Sequence, residues 1–283
     1  MSELGDTIPT FGEREATGQA EVSLSNWSAL SSANLVRSGW EALVIVLVAV
    51  GVIGGVELWV RLAGIESYVF PKPSAIGRAL VENFYLFRPH LIATLEVLAS
   101  GYAIGALTGL VLAAVITQFP FVEKVITPYI LLLVTTPMIA LVPLLILKLG
   151  FGYTPRIIAV ALAAGPMVMI NAATGFRRTD LAKIALARSY GASTLQTFAK
   201  IRFPLALPMI IVGLMVGAIF GLLTAVGAEM VGGSQGLGNR LMFYSARIQM
   251  ANFFAVIVML AVMGILIYIL FYAIGKKWAS WEA

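Results

Sequence analysis

The sequence predicts an all-α, polytopic membrane protein with six transmembrane helices. Its 283 residues are 60% hydrophobic and only 12% charged, whereas a soluble domain is roughly half apolar and a quarter charged. Several apolar stretches also reach the roughly 20 residues that a helix needs to cross a bilayer. Because polar residues fall mainly between those stretches, the excess apolar surface is expected to face lipid.

The predicted spans divide the chain into a polar tail and one membrane domain. Residues 1–38 are polar and hold five acidic side chains, so they have too little apolar surface to order themselves. We expect a flexible tail there, followed by a membrane domain over residues 39–278. The six spans of that domain are predicted at residues 42–62, 91–117, 125–147, 157–173, 205–228 and 253–274.

Two of the spans carry glycines at four-residue spacing, which places them on one face of a helix. Small residues on such a face let two helices approach closely in lipid. We therefore predict helix-packing faces in the second and fifth spans. The glycines are Gly101, Gly105 and Gly109 in the second span, and Gly213, Gly217 and Gly221 in the fifth.

The third span contains Pro128, Pro137 and Pro143. Proline removes a helical hydrogen bond, and in a membrane the freed carbonyl must be satisfied by a neighbour or by water. A broken helix that lines a solute pathway and a simple packing kink are equally compatible with this pattern. The pathway candidates are Thr135, Thr136, Pro137, Met138 and, at the end of the fifth span, Glu229.

Glu229 precedes a Gly-rich loop at residues 232–238. It is either a pathway residue or an interfacial acid that is hydrogen-bonded to this loop. His90, beside Pro89 at a helix start, is interpreted as an interfacial residue. With one histidine and no cysteine in the chain, thiolate and multi-histidine metal sites are excluded.

Charge predicts the orientation of the chain. The net charge is +5, and six basic side chains fall in the polar segment between the fourth and fifth spans, residues 176–203. Lys and Arg accumulate in cytoplasmic loops, so this segment and both termini are expected on the cytoplasmic side. Because membrane topology already explains the excess of basic residues, the net positive charge does not indicate that the protein binds nucleic acid.

The segment 180–203 is too polar to span a membrane but is strongly patterned. Its apolar residues recur mainly three or four apart, which predicts two short amphipathic helices with a bend near Gly191. From the pattern alone, docking into a groove of a partner protein and lying on the lipid surface remain equally open.

This segment resembles the cytoplasmic motif of binding-protein-dependent ABC importer permeases of the type I fold. That motif is Glu-Ala-Ala, three residues, Gly, about nine residues, Ile and a Leu-Pro ending. Here Ala185-Leu186-Ala187 stands at the first positions, with Ala185 in place of Glu, and Gly191 at the glycine. Ile201 and either Pro204 or Pro208 complete the match.

Within that family the chain is most similar to the nitrate/sulfonate/taurine group and its relatives that import pyrimidine vitamin precursors. The stretches that carry this similarity are residues 70–74, 139–144, 150–152, 228–232 and 236–238. The resemblance implies a non-catalytic permease domain at 39–278, with cytoplasmic coupling helices at 180–203. It also implies transport of a small solute through alternating access driven by ATP.

The resemblance further implies a set of partners: a second permease copy, two cytoplasmic ABC ATPase subunits and an extracytoplasmic solute-binding protein, all at the cell membrane. ATP and Mg would bind the ATPases, since this chain lacks a Gly-x-x-x-x-Gly-Lys-Ser/Thr loop, and no cofactor or metal is expected here. The implied ATPase-docking residues are Leu181, Ile184, Ala185, Ala187, Gly191, Leu195, Phe198, Ile201, Pro204 and Pro208.

Two other classes compete with this interpretation. A membrane enzyme would need acids, histidine or a nucleophile together at one depth, but Glu57, Glu96 and Glu229 are scattered and His90 is alone. An ion-coupled secondary transporter or a channel could share the broken helix and the glycine faces. Such a protein would not need a segment that docks on an ATPase.

Overall fold

The structure, a computed structural model, describes residues 39–278, and these are almost entirely helical, without a strand. The predicted tail at 1–38 lies outside the described residues. The α-helices are α1 Gly39–Leu62, α2 Pro73–Glu82, α3 Phe84–Gln118, α4 Pro120–Thr135, α5 Met138–Leu149, α6 Tyr153–Arg177, α7 Leu181–Ser189, α8 Thr194–Thr197, α9 Phe203–Gly232, α10 Leu237–Ala246 and α11 Met250–Trp278. A π-helical turn at Phe198–Arg202 joins α8 to α9.

Within residues 39–278, five helical runs are long and apolar enough to cross a membrane. They are α1 from Leu43, α3, α6, the run Thr194–Gly232 that includes α8 and α9, and α11. These correspond to five of the six predicted spans, and an all-α membrane fold is confirmed. A sixth span requires α4 and α5 to be counted together.

The predicted third span is not one continuous helix. Its two halves, α4 and α5, meet at a bend of 97°. Pro137 caps α5, and Thr136 before it is extended, with φ −80° and ψ 124°, as expected of a residue that precedes proline. Pro128 and Pro143 lie inside α4 and α5, so only one of the three prolines coincides with the break.

The glycine face of α3 lies against the backbone of α6. A Cβ atom added at Gly105 would lie 2.6 Å from the Ala161 carbonyl oxygen, and one at Gly109 would overlap the Gly165 carbonyl. Gly101 continues the same face, where a Cβ would lie 2.6 Å from the carbonyl oxygen of Ile157. Because these neighbours are main-chain atoms, no side-chain rotation can make room for a larger residue.

The glycine face of α9 contacts the same helix. A Cβ atom at Gly217 would lie 2.7 Å from Val168 Cγ2, and Gly213 is equally close to α6. At Gly221 the nearest atom is instead Leu98 Cδ1 of α3, at 3.2 Å. Helix α6 is therefore packed by both glycine faces, and its own centre is rich in buried alanine and glycine.

The connections between the spans gather at two ends of these helices. We call the first the network end; it comprises residues 83–94, 152–156 and 229–252, which are joined by hydrogen bonds between distant parts of the chain. The second, the elbow end, contains residues 180–203 and the ion pair between Arg177 and Glu123, whose N and O atoms are 2.6 Å apart.

Candidate functional site

The elbow segment, residues 180–203, is ordered by its own helix caps. The Asp180 carboxylate accepts a hydrogen bond from the Ala182 N–H at 2.8 Å and caps α7. Ser193 and Gln196 form a reciprocal capping box at α8. Gly191 lies in the turn between the helices with φ +79°, a left-handed conformation that glycine adopts at little cost.

Three apolar side chains of the elbow segment are more than half exposed. Leu186 is 59% exposed, Tyr190 85% and Leu195 76%. Large exposed apolar groups are typical of surfaces that meet a partner or lipid. Leu195 was among the predicted docking residues, whereas Leu186 and Tyr190 were not, although Leu186 falls inside the family motif.

The other predicted docking residues differ in accessibility. Ala185 and Gly191 are exposed, but Ile184 is only 6% exposed, so its side chain anchors the segment and is not available to a partner. The position of the Leu181 side chain lies outside what the structure describes. Ala187, Phe198, Ile201, Pro204 and Pro208 are half-buried, and the Phe198 ring packs on Phe176 with a centroid distance of 5.0 Å.

A second polar site lies at the network end, around Glu229. This side chain is fully buried, and its Oε2 atom accepts hydrogen bonds from the Thr94 hydroxyl and the Gly238 N–H, both at 2.9 Å. The Thr94 oxygen in turn accepts from the Leu237 N–H at 2.9 Å. Glu229 therefore ties the Gly-rich loop to α3, which is the hydrogen-bonded alternative considered for this residue.

Two further side chains hold the same loop. Arg156 of α6 is 1% exposed and donates from Nη1 to the Gln235 carbonyl oxygen at 3.0 Å. His90 Nδ1 lies 3.1 Å from the Gly236 backbone nitrogen. His90 is buried among protein side chains near the start of α3, and its position at the membrane interface stays a prediction.

Gly236 itself is restricted in two ways. Its φ is +115°, and a Cβ atom there would overlap the Glu229 carboxylate. The loop therefore needs glycine at this position so that its backbone can reach the acid.

The remaining pathway candidates lie at the break between α4 and α5. The hydroxyls of Thr135 and Thr136 donate to their own helix, to the carbonyl oxygens of Leu131 and Leu132, at 3.0 and 2.7 Å. Pro137 is exposed and Met138 half-buried. The break adjoins the Glu229 region, because a Cβ atom at Gly227 would lie 2.7 Å from Ile139 Cδ1.

The chain resembles known transport proteins over most of its length. Residues 101–280 match the family "Binding-protein-dependent transport system inner membrane component". The chain belongs to this family. The family's chains are components of transport systems in the inner membrane, which agrees with the membrane spans.

Individual relatives agree with this assignment. A "Probable ABC transporter permease protein" of Haemophilus influenzae is 30% identical, covering 78% of this chain and 91% of that protein. A formylaminopyrimidine transport permease protein of Halalkalibacterium halodurans is 28% identical, with coverages of 74% and 84%. A solved amino acid ABC transporter shares the fold, with a TM-score of 0.60, 20% identity and coverages of 70% and 96%.

Proposed function

We propose that this chain forms the translocation pathway of an ABC importer for a small solute and works by alternating access. ATP is hydrolysed on separate cytoplasmic ATPase subunits, which bind the elbow segment. The family supports the coarser assignment of a permease subunit, and the geometry of the elbow segment supports its coupling to a partner.

The single observation that carries this proposal is the unbroken helical run from Thr194 to Gly232. Leu195, at one end of this run, is 76% exposed, while Glu229, at the other end, holds the Gly-rich loop. A helix is stiff along its axis, so a displacement imposed on Leu195 by a bound protein would be carried through the span to that loop.

The orientation follows from the charge of the elbow segment, which holds Lys183, Arg188 and Lys200. With this segment and both termini in the cytoplasm, the network end lies on the extracytoplasmic side. The binding protein delivers solute there, and a second permease copy completes the pathway. The solute classes are a nitrate-, sulfonate- or taurine-like anion and a pyrimidine vitamin precursor.

Substituting Leu195 tests the docking surface. We expect Leu195→Glu to abolish co-purification of the ATPase and to reduce solute uptake by tenfold or more, because it places a charge in an apolar contact whose loss costs roughly 1.5–3 kcal/mol. The variant should still fold, since Leu195 is exposed and lies in the first turn of α8, where a negative charge is favourable.

Ala182→Glu is the matched control. Ala182 is also exposed and occupies the equivalent position in the first turn of α7, so Ala182→Glu adds the same charge in the same helical context without touching Leu195 itself. It should retain both the ATPase and uptake. Equal loss of the ATPase in both variants, or normal binding by Leu195→Glu, would count against docking at Leu195.

Reconstitution separates the proposal from an ion-coupled transporter or a channel. The purified chain in liposomes is expected to move no solute alone and to do so only with its ATPase, the binding protein and ATP. Uptake driven by an ion gradient without the ATPase would refute the proposal.

A further inference from the structure

The network end contains a cavity, lined by apolar and polar side chains, that neither the family nor the proposed pathway residues account for. Its volume is about 630 Å³, and it opens between the start of α3, helix α10 and the start of α11. The lining residues that bear on its chemistry are Asn83, His90, Arg240, Phe243, Gln249 and Asn252. A cavity of this size is in the range of small-molecule sites.

The cavity is lined by one positively charged side chain and by no acidic one among the described residues. Arg240 lines it, and no carboxylate is among its lining residues in the described part of the chain. The two ion pairs of the described residues are Arg61–Glu57 and Arg177–Glu123, and neither involves Arg240. A half-buried guanidinium without a counter-charge loses hydration, and an anion in the cavity would compensate for that loss.

Neighbouring groups orient Arg240 rather than neutralise it. Its Nε–H donates to His90 Nε2 at 2.7 Å, and its Cζ lies 4.8 Å from the centre of the Phe243 ring. The Cζ of Arg247 also lies over this ring, at 3.7 Å. Arg240 and Arg247 therefore both contact the Phe243 ring, but only Arg240 lines the cavity.

The remaining walls combine amides with hydrocarbon. The Asn83 amide donates to Asn252 Oδ1 at 3.0 Å, which fixes both side chains across the cavity. Leu86 and Pro89 add apolar surface. One cation, fixed amides and an apolar wall match a ligand with one anionic group and a short hydrocarbon part.

We propose that this cavity is an extracytoplasmic subsite for a small organic anion, a sulfonate or carboxylate, whose charged group binds Arg240. The subsite rests on the proposed function, since it narrows the solute to the anionic class. Its position also connects it to the Gly-rich loop through His90. The His90 Nε2 atom accepts from Arg240, and Nδ1 of the same ring lies 3.1 Å from the Gly236 nitrogen, although a neutral imidazole can accept on only one of the two nitrogens at a time. An occupant that moves Arg240 would therefore act on the loop held by Glu229.

The test is direct binding to the full chain, purified with its ATPase and placed in phosphatidylcholine nanodiscs. The probes are butanesulfonate and butyrate, with butanesulfonamide as the neutral analogue, measured by calorimetry. We expect at least one anion to bind and the sulfonamide not to bind. Arg240→Gln should weaken binding about tenfold or more, because a charge-assisted hydrogen bond is lost, and Arg240→Lys should weaken it less.

Arg247→Gln is the matched control, since it removes the same charge from the same region but Arg247 does not line the cavity. It should change affinity less than about threefold, as expected for an exposed charge. Should Arg240→Gln fail to assemble with the ATPase, the Arg240→Lys titration decides alone: unchanged affinity overturns the subsite.

Four further results would overturn the subsite. Two concern the probes: neither anion binds, or the sulfonamide binds as tightly as the anions. The other two are displacement of the anion by phosphatidylglycerol in the nanodisc, which would assign the cavity to lipid headgroups, and displacement by an acidic segment of the binding protein. Loss of the ATPase from the wild-type preparation would instead refute the proposed function, so the two failures are distinguishable.

Discussion

Adding one methyl group at Gly105 is expected to disrupt the packing of the spans. In Gly105→Ala the new Cβ would lie 2.6 Å from the Ala161 carbonyl oxygen and 3.0 Å from its Cα, far inside van der Waals contact. Because both atoms belong to the α6 backbone, the helices themselves must separate. Overpacking of this kind costs about 1–3 kcal/mol, and Gly105→Leu should prevent assembly.

The effect would be measured as the membrane level of the chain and its thermal unfolding in detergent. Gly264→Ala is the control, because it adds the same methyl group to the span α11, where the nearest atom is Leu222 Cδ2 at 3.9 Å. It should leave both quantities unchanged. If Gly105→Ala and Gly264→Ala behaved alike, the close approach of α3 to α6 would be contradicted.

The positions of the spans could be predicted because each depends on a continuous stretch of sequence. A run of apolar residues long enough for the bilayer is visible without its neighbours, so α1, α3, α6, α9 and α11 all overlap a predicted span. The position of the bend between α4 and α5 was harder to predict from the sequence. Three prolines stood in that stretch, and which one broke the helix depended on contacts that the local sequence does not contain.

Glycine spacing predicted which faces pack but not what they pack against. That both faces meet α6 depends on how the spans are arranged, and nothing within α3 or α9 alone specifies it. The same reason explains why Thr94, the partner of the predicted candidate Glu229, and the buried Arg156 were missed at the network end. Thr94 and Glu229 are 135 positions apart, and the buried Arg156 finds its carbonyl partner 79 positions later.

The elbow segment shows that residue spacing predicts which positions are apolar but not which of them are buried. Its three-to-four-residue spacing predicted an amphipathic segment, and Ile184 and Leu195 belong to that pattern, yet Ile184 is buried and Leu195 exposed. Periodicity identifies apolar positions but does not say which of them the chain itself covers. The exposed Leu186 and Tyr190 interrupt the pattern, so a search for a single apolar stripe passes over them.

Replacing Glu229 by Leu is expected to release the Gly-rich loop. The substitution removes the acceptor for the Thr94 hydroxyl and the Gly238 N–H, both in a buried site. The Thr94 hydroxyl can still donate to the His90 carbonyl oxygen at 3.1 Å, but the buried Gly238 N–H loses its acceptor, and a buried donor without a partner costs roughly 1–3 kcal/mol. We expect Glu229→Leu to lower the yield of assembled transporter and to expose residues 232–238 to protease.

Glu229→Gln separates this anchoring role from a role for the charge in transport. Glutamine keeps one side-chain oxygen, which can accept from Thr94 and Gly238 as Glu229 Oε2 does. We therefore expect it to preserve assembly, loop protection and most solute uptake. Full assembly with uptake abolished would show instead that the negative charge acts in the pathway, since both variants remove the charge and only Gln retains the hydrogen bonds. Intact assembly of Glu229→Leu would contradict the anchoring role.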